Sequence, residues 1–253
     1  MHVSLTPMFG GSRRTPPELQ GVNVKRIGLI GGMSWESSIE YYRIINETAN
    51  AKLGGLHSAQ SLMVSVDFAE IEFLQHQGKW AEAAQVLIDA AKTLEHGGAD
   101  FLVLCTNTMH KVAEEIQANV KIPLLHIADA TAQRVNESGI QTIGLLGTRF
   151  SMEEEFYKGR LSQKYGLKVH VPNPQEREIV HRVIYDELVL GKIRPESKAQ
   201  YRSIIERMAQ QGAEGVILGC TEIGLLIHKE DSRVPLFDTT RIHAEAAVEY
   251  ALQ

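Results

Sequence analysis

An internal repeat constrains the fold of this 253-residue chain more than any other feature. Three motifs of the first half recur in the second half, in the same order, at offsets of 116, 114 and 112 residues. A duplicated unit explains all three pairs at once, whereas chance would have to produce three similar pairs in the same order and at nearly the same spacing. The sequence therefore predicts two homologous halves. The pairs are RIGLIGG (26–32) with TIGLLGT (142–148), GADFLVLCTNT (98–108) with GAEGVILGCTE (212–222), and KIPLLHIAD (121–129) with RVPLFDTTR (233–241).

Within each half, short β-branched and leucine-rich runs alternate with longer amphipathic segments, as in βα units around a parallel sheet. The predicted fold class is α/β, with two similar parallel-sheet domains related by a pseudo-twofold and an active site in the cleft between them. Strands are predicted at 25–31, 61–67, 100–105, 123–127, 142–147, 167–172, 215–220 and 235–238. Helices are predicted at 37–53, 80–96, 109–119, 128–138, 152–165, 175–190, 195–211 and 242–251, with Ser34 and Ser151 as N-caps.

We expect a first domain over 25–128, a second over 129–240, and a C-terminal helix, 241–253, that packs on the first. Residues 1–24 mix Gly, Pro, Ser and Arg without periodicity, which is typical of a flexible N-terminal extension.

Charge and composition disfavour several classes of protein. A net charge of -5 with scattered basic residues gives no surface for nucleic acid. No apolar run reaches the roughly 18 residues that a membrane helix needs, and two cysteines are too few for a disulfide framework. We therefore expect a cytoplasmic protein with a small-molecule partner, and no membrane or nucleic-acid partner.

Polar side chains follow two strands that the repeat makes equivalent. At the offset of 114, Thr106 aligns with Cys220, and Cys105 aligns with Gly219. Ligands of open α/β sheets bind beyond the carboxyl ends of strands, so both ends should face one cleft. A following helix N-terminus would lower the pKa of the Cys220 thiol and make it a base.

Other residues near these strand ends have alternative interpretations. Asn107, Thr108 and Thr221 are suited to bind a carboxylate. Cys105 can equally be a packing residue, because a lone cysteine that closes an apolar strand usually is. His110 and His126 lack metal-ligand spacing, so no metal is expected. The turn GLIGGMSWES (28–37) lacks G-x-G-x-x-G, so it is weak evidence for a dinucleotide.

Four motifs stand together in the chain: GGMSWES, CTNTMH, the mid-chain GT at 147–148 and GCTE. They carry a resemblance to the aspartate/glutamate racemase family that runs from Lys25 to the end. It implies an amino-acid racemase without cofactor, commonly a homodimer, that binds its substrate between two α/β domains. In that family two cysteines flank the substrate Cα. One removes the α-proton as thiolate while the other reprotonates the opposite face.

The chain departs from this pattern at one catalytic position. The family motif is Cys-Asn-Thr-x-His, and its last four positions match Asn107-Thr108-Met109-His110. Thr106 then stands where the first cysteine belongs. We therefore expect an unequal pair, with Cys220 as base on one face and Thr106 on the other. A hydroxyl is a far poorer base than a thiolate, so the two directions should differ in turnover. In the family the second-half cysteine attacks the L enantiomer, so the resemblance implies the higher turnover for L to D conversion.

The resemblance also suggests roles around the pair. Glu222 would hold the α-ammonium, while Met33 and Ser34 would cover an α-carboxylate that lies against Asn107, Thr108 and Thr221. Thr148 would complete the cleft, and Cys105 and Ser65 are further candidates.

Substrate identity is open at this stage. Glutamate or aspartate is the first expectation, yet aspartate-preferring relatives carry a basic residue where this chain has Val189, and an arginine where it reads SVDFAEIE (65–72). Arg149 could replace these cations. The alternatives are a broad-specificity or homoserine-type racemase, a single-cysteine decarboxylase of the same superfamily, and a binding module. A pyridoxal phosphate enzyme is disfavoured, because no lysine stands at a candidate strand end.

Overall fold

A computed structural model describes residues 24–253. Its two four-stranded parallel sheets have the same strand order, and helices pack around each sheet. This confirms the predicted fold class. The predicted extension, 1–24, falls outside the described residues except for its last position.

The strands are short and every neighbouring pair is parallel. They are β1 (Ile27–Gly31), β2 (Ser61–Ser65), β3 (Phe101–Leu104), β4 (Leu124–Leu125), β5 (Thr142–Gly147), β6 (Lys168–His170), β7 (Gly215–Gly219) and β8 (Leu236–Asp238). The helices are α1 (Trp35–Leu53), α2 (Phe68–His76), α3 (Trp80–His96), α4 (Ala113–Ala118), α5 (Ile127–Glu137), α6 (Arg149–Glu153), α7 (Glu155–Tyr165), α8 (Pro174–Asp186), α9 (Pro195–Gln210), α10 (Ile223–Leu226) and α11 (Thr239–Ala251). Short 3-10 segments cover Thr108–Val112, Leu188–Leu190 and Lys229–Asp231.

Strand order shows the duplication directly. It is β2-β1-β3-β4 in one sheet and β6-β5-β7-β8 in the other. The two central strands of each sheet, β1 with β3 and β5 with β7, are nearly all buried, because helices cover both faces of a parallel sheet. The equivalent strands β3 and β7 therefore end at equivalent places in the two halves.

Four local predictions were wrong. Helix α2 was not predicted, because SVDFAEIE is rich in acidic residues and the helix buries few side chains. The helix predicted over 109–119 begins as a 3-10 turn, and the one over 152–165 is interrupted where Glu154 is extended. Ser151 lies inside α6 rather than at its N-cap, which is Thr148.

The C-terminal helix returns to the first half of the chain. Ala244, Ala247 and Val248 of α11 pack in one core with Tyr41 and Phe101. The backbone N–H of Lys25 donates to the carbonyl of Ala251 at 2.9 Å. The domain boundaries at 128 and 240 and the homodimer stay predictions.

The helices within residues 24–253 lack the length and apolar character that spanning a bilayer requires.

Candidate active site

A cavity of about 20 Å³ lies between the two halves, beyond the carboxyl ends of β3 and β7. Residues from both halves line it. Those named from the sequence are Met33, Thr106, Asn107, Thr108, Thr148, Cys220, Thr221 and Glu222. The structure therefore brings both proposed proton-transfer residues to one small enclosed space.

Three predicted site residues lie outside this lining. Ser34 reaches it indirectly, because its hydroxyl donates to Glu222 Oε1 at 2.7 Å. Cys105 is fully buried and packs with Tyr41 and other apolar side chains of the first-half core. Ser65 is exposed at the end of β2.

The glycine-rich loop after β1 brings Ser34 to the second half. Gly32 has φ +96°, and a Cβ there would lie 2.1 Å from the carbonyl oxygen of Val66, so only glycine fits. Ser38 Oγ accepts from the N–H of Gly32 at 2.8 Å and donates to the carbonyl of Ser34 at 2.9 Å. These bonds fix the loop in a path that leads the Ser34 hydroxyl to Glu222.

The segment after β3 is held by bonds to the other half. Asn107 Nδ2 donates to Thr239 Oγ1 at 3.0 Å, and the hydroxyls of Thr108 and Thr148 lie 2.9 Å apart. His110 Nδ1 donates to the carbonyl of Thr106 at 2.7 Å, which fixes the backbone there. No hydrogen bond from a described residue reaches the Thr106 hydroxyl itself.

The segment after β7 joins a thiol to a carboxylate. Cys220 Sγ donates to Glu222 Oε2 at 3.0 Å, and Thr221 Oγ1 donates to the same oxygen at 2.8 Å. Burial raises the pKa of Cys220 well above its usual value, and the negative charge of Glu222 raises it further. The predicted lowering of this pKa is therefore wrong for this structure. Backbone N–H groups of Thr221 and Glu222 do lower it, but burial outweighs them.

A family model described as Asp/Glu/Hydantoin racemase matches residues 30–247, which is most of the chain. The chain belongs to the Asp/Glu/hydantoin racemase family. Every cavity residue described above lies inside the matched region.

Two solved structures are similar over nine-tenths of the chain, and one curated relative over about two-thirds of it. A crystal structure of a candidate Asp/Glu racemase from Yersinia pestis is 57% identical with a TM-score of 0.84, covering 90% of this chain and 100% of that one. An aspartate racemase homologue from Pyrococcus horikoshii OT3 is 36% identical with a TM-score of 0.78 and the same coverage. The broad specificity amino-acid racemase RacX of Bacillus subtilis (strain 168) is 26% identical over 175 residues, 66% of this chain and 71% of RacX.

Gln75 of helix α2 lines one end of the cavity. It was not predicted as a site residue, because α2 itself was not predicted. Gln75 is buried and bonds in both directions. Its Nε2 donates to Met109 Sδ at 3.0 Å, and its Oε1 accepts from Tyr185 Oη of the second half at 3.0 Å. Phe68, Ile184, Tyr185 and Val189 complete this end. Had α2 been predicted after strand β2, the polar Gln75 on it would have been a candidate for the site.

No lysine, arginine or histidine is among the described residues that line the cavity. Arg149, the cation considered above, is exposed and pairs with Glu178 at 3.0 Å. The acidic residues after β2 also face elsewhere. Asp67 caps α2, and Glu72 contacts His76. Glu222 is therefore the one charged side chain in the lining.

Three buried histidines lie behind the Thr106 end. His110 is 4.5 Å from His126 and 5.9 Å from His243, measured between ring centroids. Burial lowers the pKa of His126 to about 3 and that of His243 to about 4. His243 Nε2 donates to the carbonyl of Leu125, and its Nδ1 accepts from Tyr41 Oη. Each ring is thus neutral and bonded to protein. In residues 24–253 no three His, Cys, Asp or Glu side chains, these histidines included, are arranged so that they could hold a metal ion.

Proposed function

We propose that this protein racemises an amino acid, with Cys220 and Thr106 on opposite faces of the substrate: one removes the α-proton and the other gives its own proton to the opposite face of Cα. The observation that supports this most is that these residues, equivalent by the internal repeat, line one cavity from opposite halves. A proton acceptor on one face of a substrate Cα and a proton donor on the other is what inversion at that carbon requires.

Glu222 is the group that can take the thiol proton. It already accepts a hydrogen bond from Cys220 Sγ, so transfer along this bond gives a thiolate and a carboxylic acid. A substrate α-ammonium beside the Cys220 sulfur would then stabilise the thiolate, because the protonated Glu222 is neutral and the ammonium supplies the opposite charge. Cys220 therefore rests as a thiol and becomes a base when substrate is bound.

Thr106 has no such partner, so the two faces differ. A hydroxyl without an adjacent base accepts a proton poorly. If Cys220 faces the α-proton of the L enantiomer, as the resemblance implies, L to D turnover is the faster. Mirror-image substrates have equal free energies in solution, so the two kcat/KM values are equal and the D enantiomer has the lower KM.

The substrate side chain is neutral or varied in this proposal, rather than acidic as first expected. A second carboxylate would enter a buried space that holds Glu222 and no cation. Gln75 and Tyr185 can hydrogen-bond a short polar side chain, and Val189 and Ile184 can contact an apolar one. The broad specificity of RacX is consistent with this interpretation.

Binding requires the halves to separate. A cavity of about 20 Å³ has room for about one water molecule. An amino acid enters only if contacts between the halves, such as Ser34 with Glu222 and Gln75 with Tyr185, open first.

The test is proton NMR in D₂O with the separate L- and D-forms of homoserine, alanine, glutamate and aspartate. We expect loss of the α-proton signal together with the opposite enantiomer, fastest for a neutral substrate, and no exchange with Cys220→Ser. Exchange confined to the acidic pair would contradict the substrate assignment. No exchange with any of them would contradict racemisation and favour a decarboxylase that uses the single thiol.

A further inference from the structure

One buried atom in the cavity lining has no hydrogen-bond partner among residues 24–253. Asn107 is 2% exposed, and its Oδ1 is fully buried without a donor nearby. The other end of the same amide is satisfied, because Nδ2 donates to Thr239 Oγ1 at 3.0 Å. A buried carbonyl oxygen without a protein partner is costly, which indicates that a molecule in the cavity donates to it, water in the free protein and substrate in the complex.

The orientation of the amide follows from the bonds of Thr239. The Thr239 hydroxyl is fully buried and donates its one proton to the carbonyl of Leu218 at 2.8 Å. It can then only accept from Asn107, so the NH₂ group must face Thr239. Turning the amide over would place two oxygens against each other with no proton between them.

We propose that Thr239 is a positioning residue that orients Asn107 so that its carbonyl oxygen, not its NH₂ group, faces the substrate. This inference rests on the proposed racemase function. It moves Asn107 from the carboxylate side, where it was first expected, to the ammonium side.

The chemistry of the substrate amine fits this orientation. An α-ammonium carries three N–H donors and no acceptor, so it can bond Asn107 Oδ1 but not an amide NH₂ group. Glu222 supplies a second oxygen acceptor from the other half of the lining, since a carboxyl oxygen accepts whether the group is ionised or protonated. A carboxylate in the same place would meet one carbonyl oxygen and one carboxylate, and both would repel it.

A 2-hydroxy acid provides the discriminating probe. Its hydroxyl can donate or accept, so it binds whichever way the amide is turned. The ammonium binds well in one orientation only. The ratio of the inhibition constant of 2,4-dihydroxybutyrate to the KM of homoserine therefore reports the amide orientation, whereas a general loss of structure would weaken both ligands together.

The experiment compares Thr239→Val with Thr240→Val in the full chain. Thr240 is the neighbouring residue of α11, and its buried hydroxyl has no partner, so it is a matched control. We expect Thr239→Val to raise the KM of homoserine about tenfold, as for loss of one charge-assisted bond, and to change the inhibition constant of the hydroxy acid less than twofold. Thr240→Val should change neither, and Thr239→Ser should restore both.

Asn107→Asp covers the case in which Thr239→Val does not fold. A carboxylate presents one oxygen to the substrate in either orientation, and the Thr239 hydroxyl can turn from Leu218 to donate to the other. The preference for homoserine over its hydroxy analogue should therefore be kept or increased. A reduced preference in Asn107→Asp, or an unchanged ratio in folded Thr239→Val, would overturn the inference. A wild-type protein that exchanges no α-proton fails earlier, at the proposed function, so the two failures are distinguishable.

Discussion

The ends of β3 and β7 are built alike and yet carry their thiols to different places. Cys105 follows β3, is 0% exposed and packs in the core with Phe101 and Val103. Cys220 follows β7, is 8% exposed and lines the cavity. The repeat shows that the two cysteines are one residue out of register. Because side chains alternate between the faces of a strand, that single step places Cys105 inside the first-half core, whereas Cys220 lies at the border of the second-half core and also lines the cavity.

The largest expected effect is the contrast between substitutions of the two cysteines. Cys220→Ser should lower turnover roughly a thousandfold or more, because a hydroxyl is a weak base, while substrate still binds. Cys105→Ala should leave turnover within about twofold and lower the free energy of unfolding by about 1 kcal/mol. Racemisation assays and urea unfolding measure both.

Loss of activity in a folded Cys105→Ala protein would reverse the assignment of the opposing group. The comparison would then favour Cys105 over Thr106, despite its packing in the core.

Thr106→Cys restores symmetry between the strand ends. A thiol is a better base than a hydroxyl, so the slower direction should accelerate about tenfold and the two kcat values should converge. Thr106→Val, which has no proton to give, should slow both directions. Progress curves from each pure enantiomer, followed by circular dichroism, measure this. A wild-type kcat ratio already close to 1 would show that the faces are not unequal.

Glu222→Gln tests the carboxylate that distinguishes the β7 end. Removing its charge removes one cause of the raised Cys220 pKa, so more thiolate should be present at a given pH. Iodoacetamide should then alkylate Cys220 severalfold faster at pH 8, while turnover falls because the proton acceptor is lost. Cys220→Ser gives the background from Cys105. Slower alkylation in Glu222→Gln would show that Glu222 promotes the thiolate in the free protein.

The histidine cluster behind the Thr106 end should affect the pH dependence of stability rather than turnover. Folding lowers the pKa of His243 to about 4, so below pH 6.5 the unfolded chain binds the extra proton. Its contribution is therefore complete above pH 6.5 and is lost as the pH falls toward 4, by about 1.4 kcal/mol per pH unit at most. Urea unfolding at pH 7, 6 and 5 should show a smaller decrease for His243→Gln, whereas His96→Gln, at an exposed position, should resemble the wild type. Equal slopes in all three proteins would contradict this cause.

Local pattern was enough to predict many elements. The strand over Thr142–Gly147 and the helix over Trp80–His96 have the bounds expected from periodicity, because long apolar runs and regular amphipathic segments report burial directly. Helix α2 failed this test, since its acidic face hides the pattern, and Gln75 was missed with it. The direction of the Cys220 pKa was also wrong, because it depends on burial rather than on the helix that follows.

By itself the sequence determined the duplication, the α/β class and the family motifs, and it aligned Thr106 with Cys220. These properties follow from local periodicity and from motifs that repeat at nearly one spacing. Tertiary structure alone decided which side chains meet across the halves, among them Ser34 with Glu222, Asn107 with Thr239 and Gln75 with Tyr185. It also decided how far the Cys220 thiol is removed from water. The physical reason is that desolvation and hydrogen-bond orientation depend on atoms that are distant in the chain. The sequence around a residue does not show which of these distant atoms will surround it.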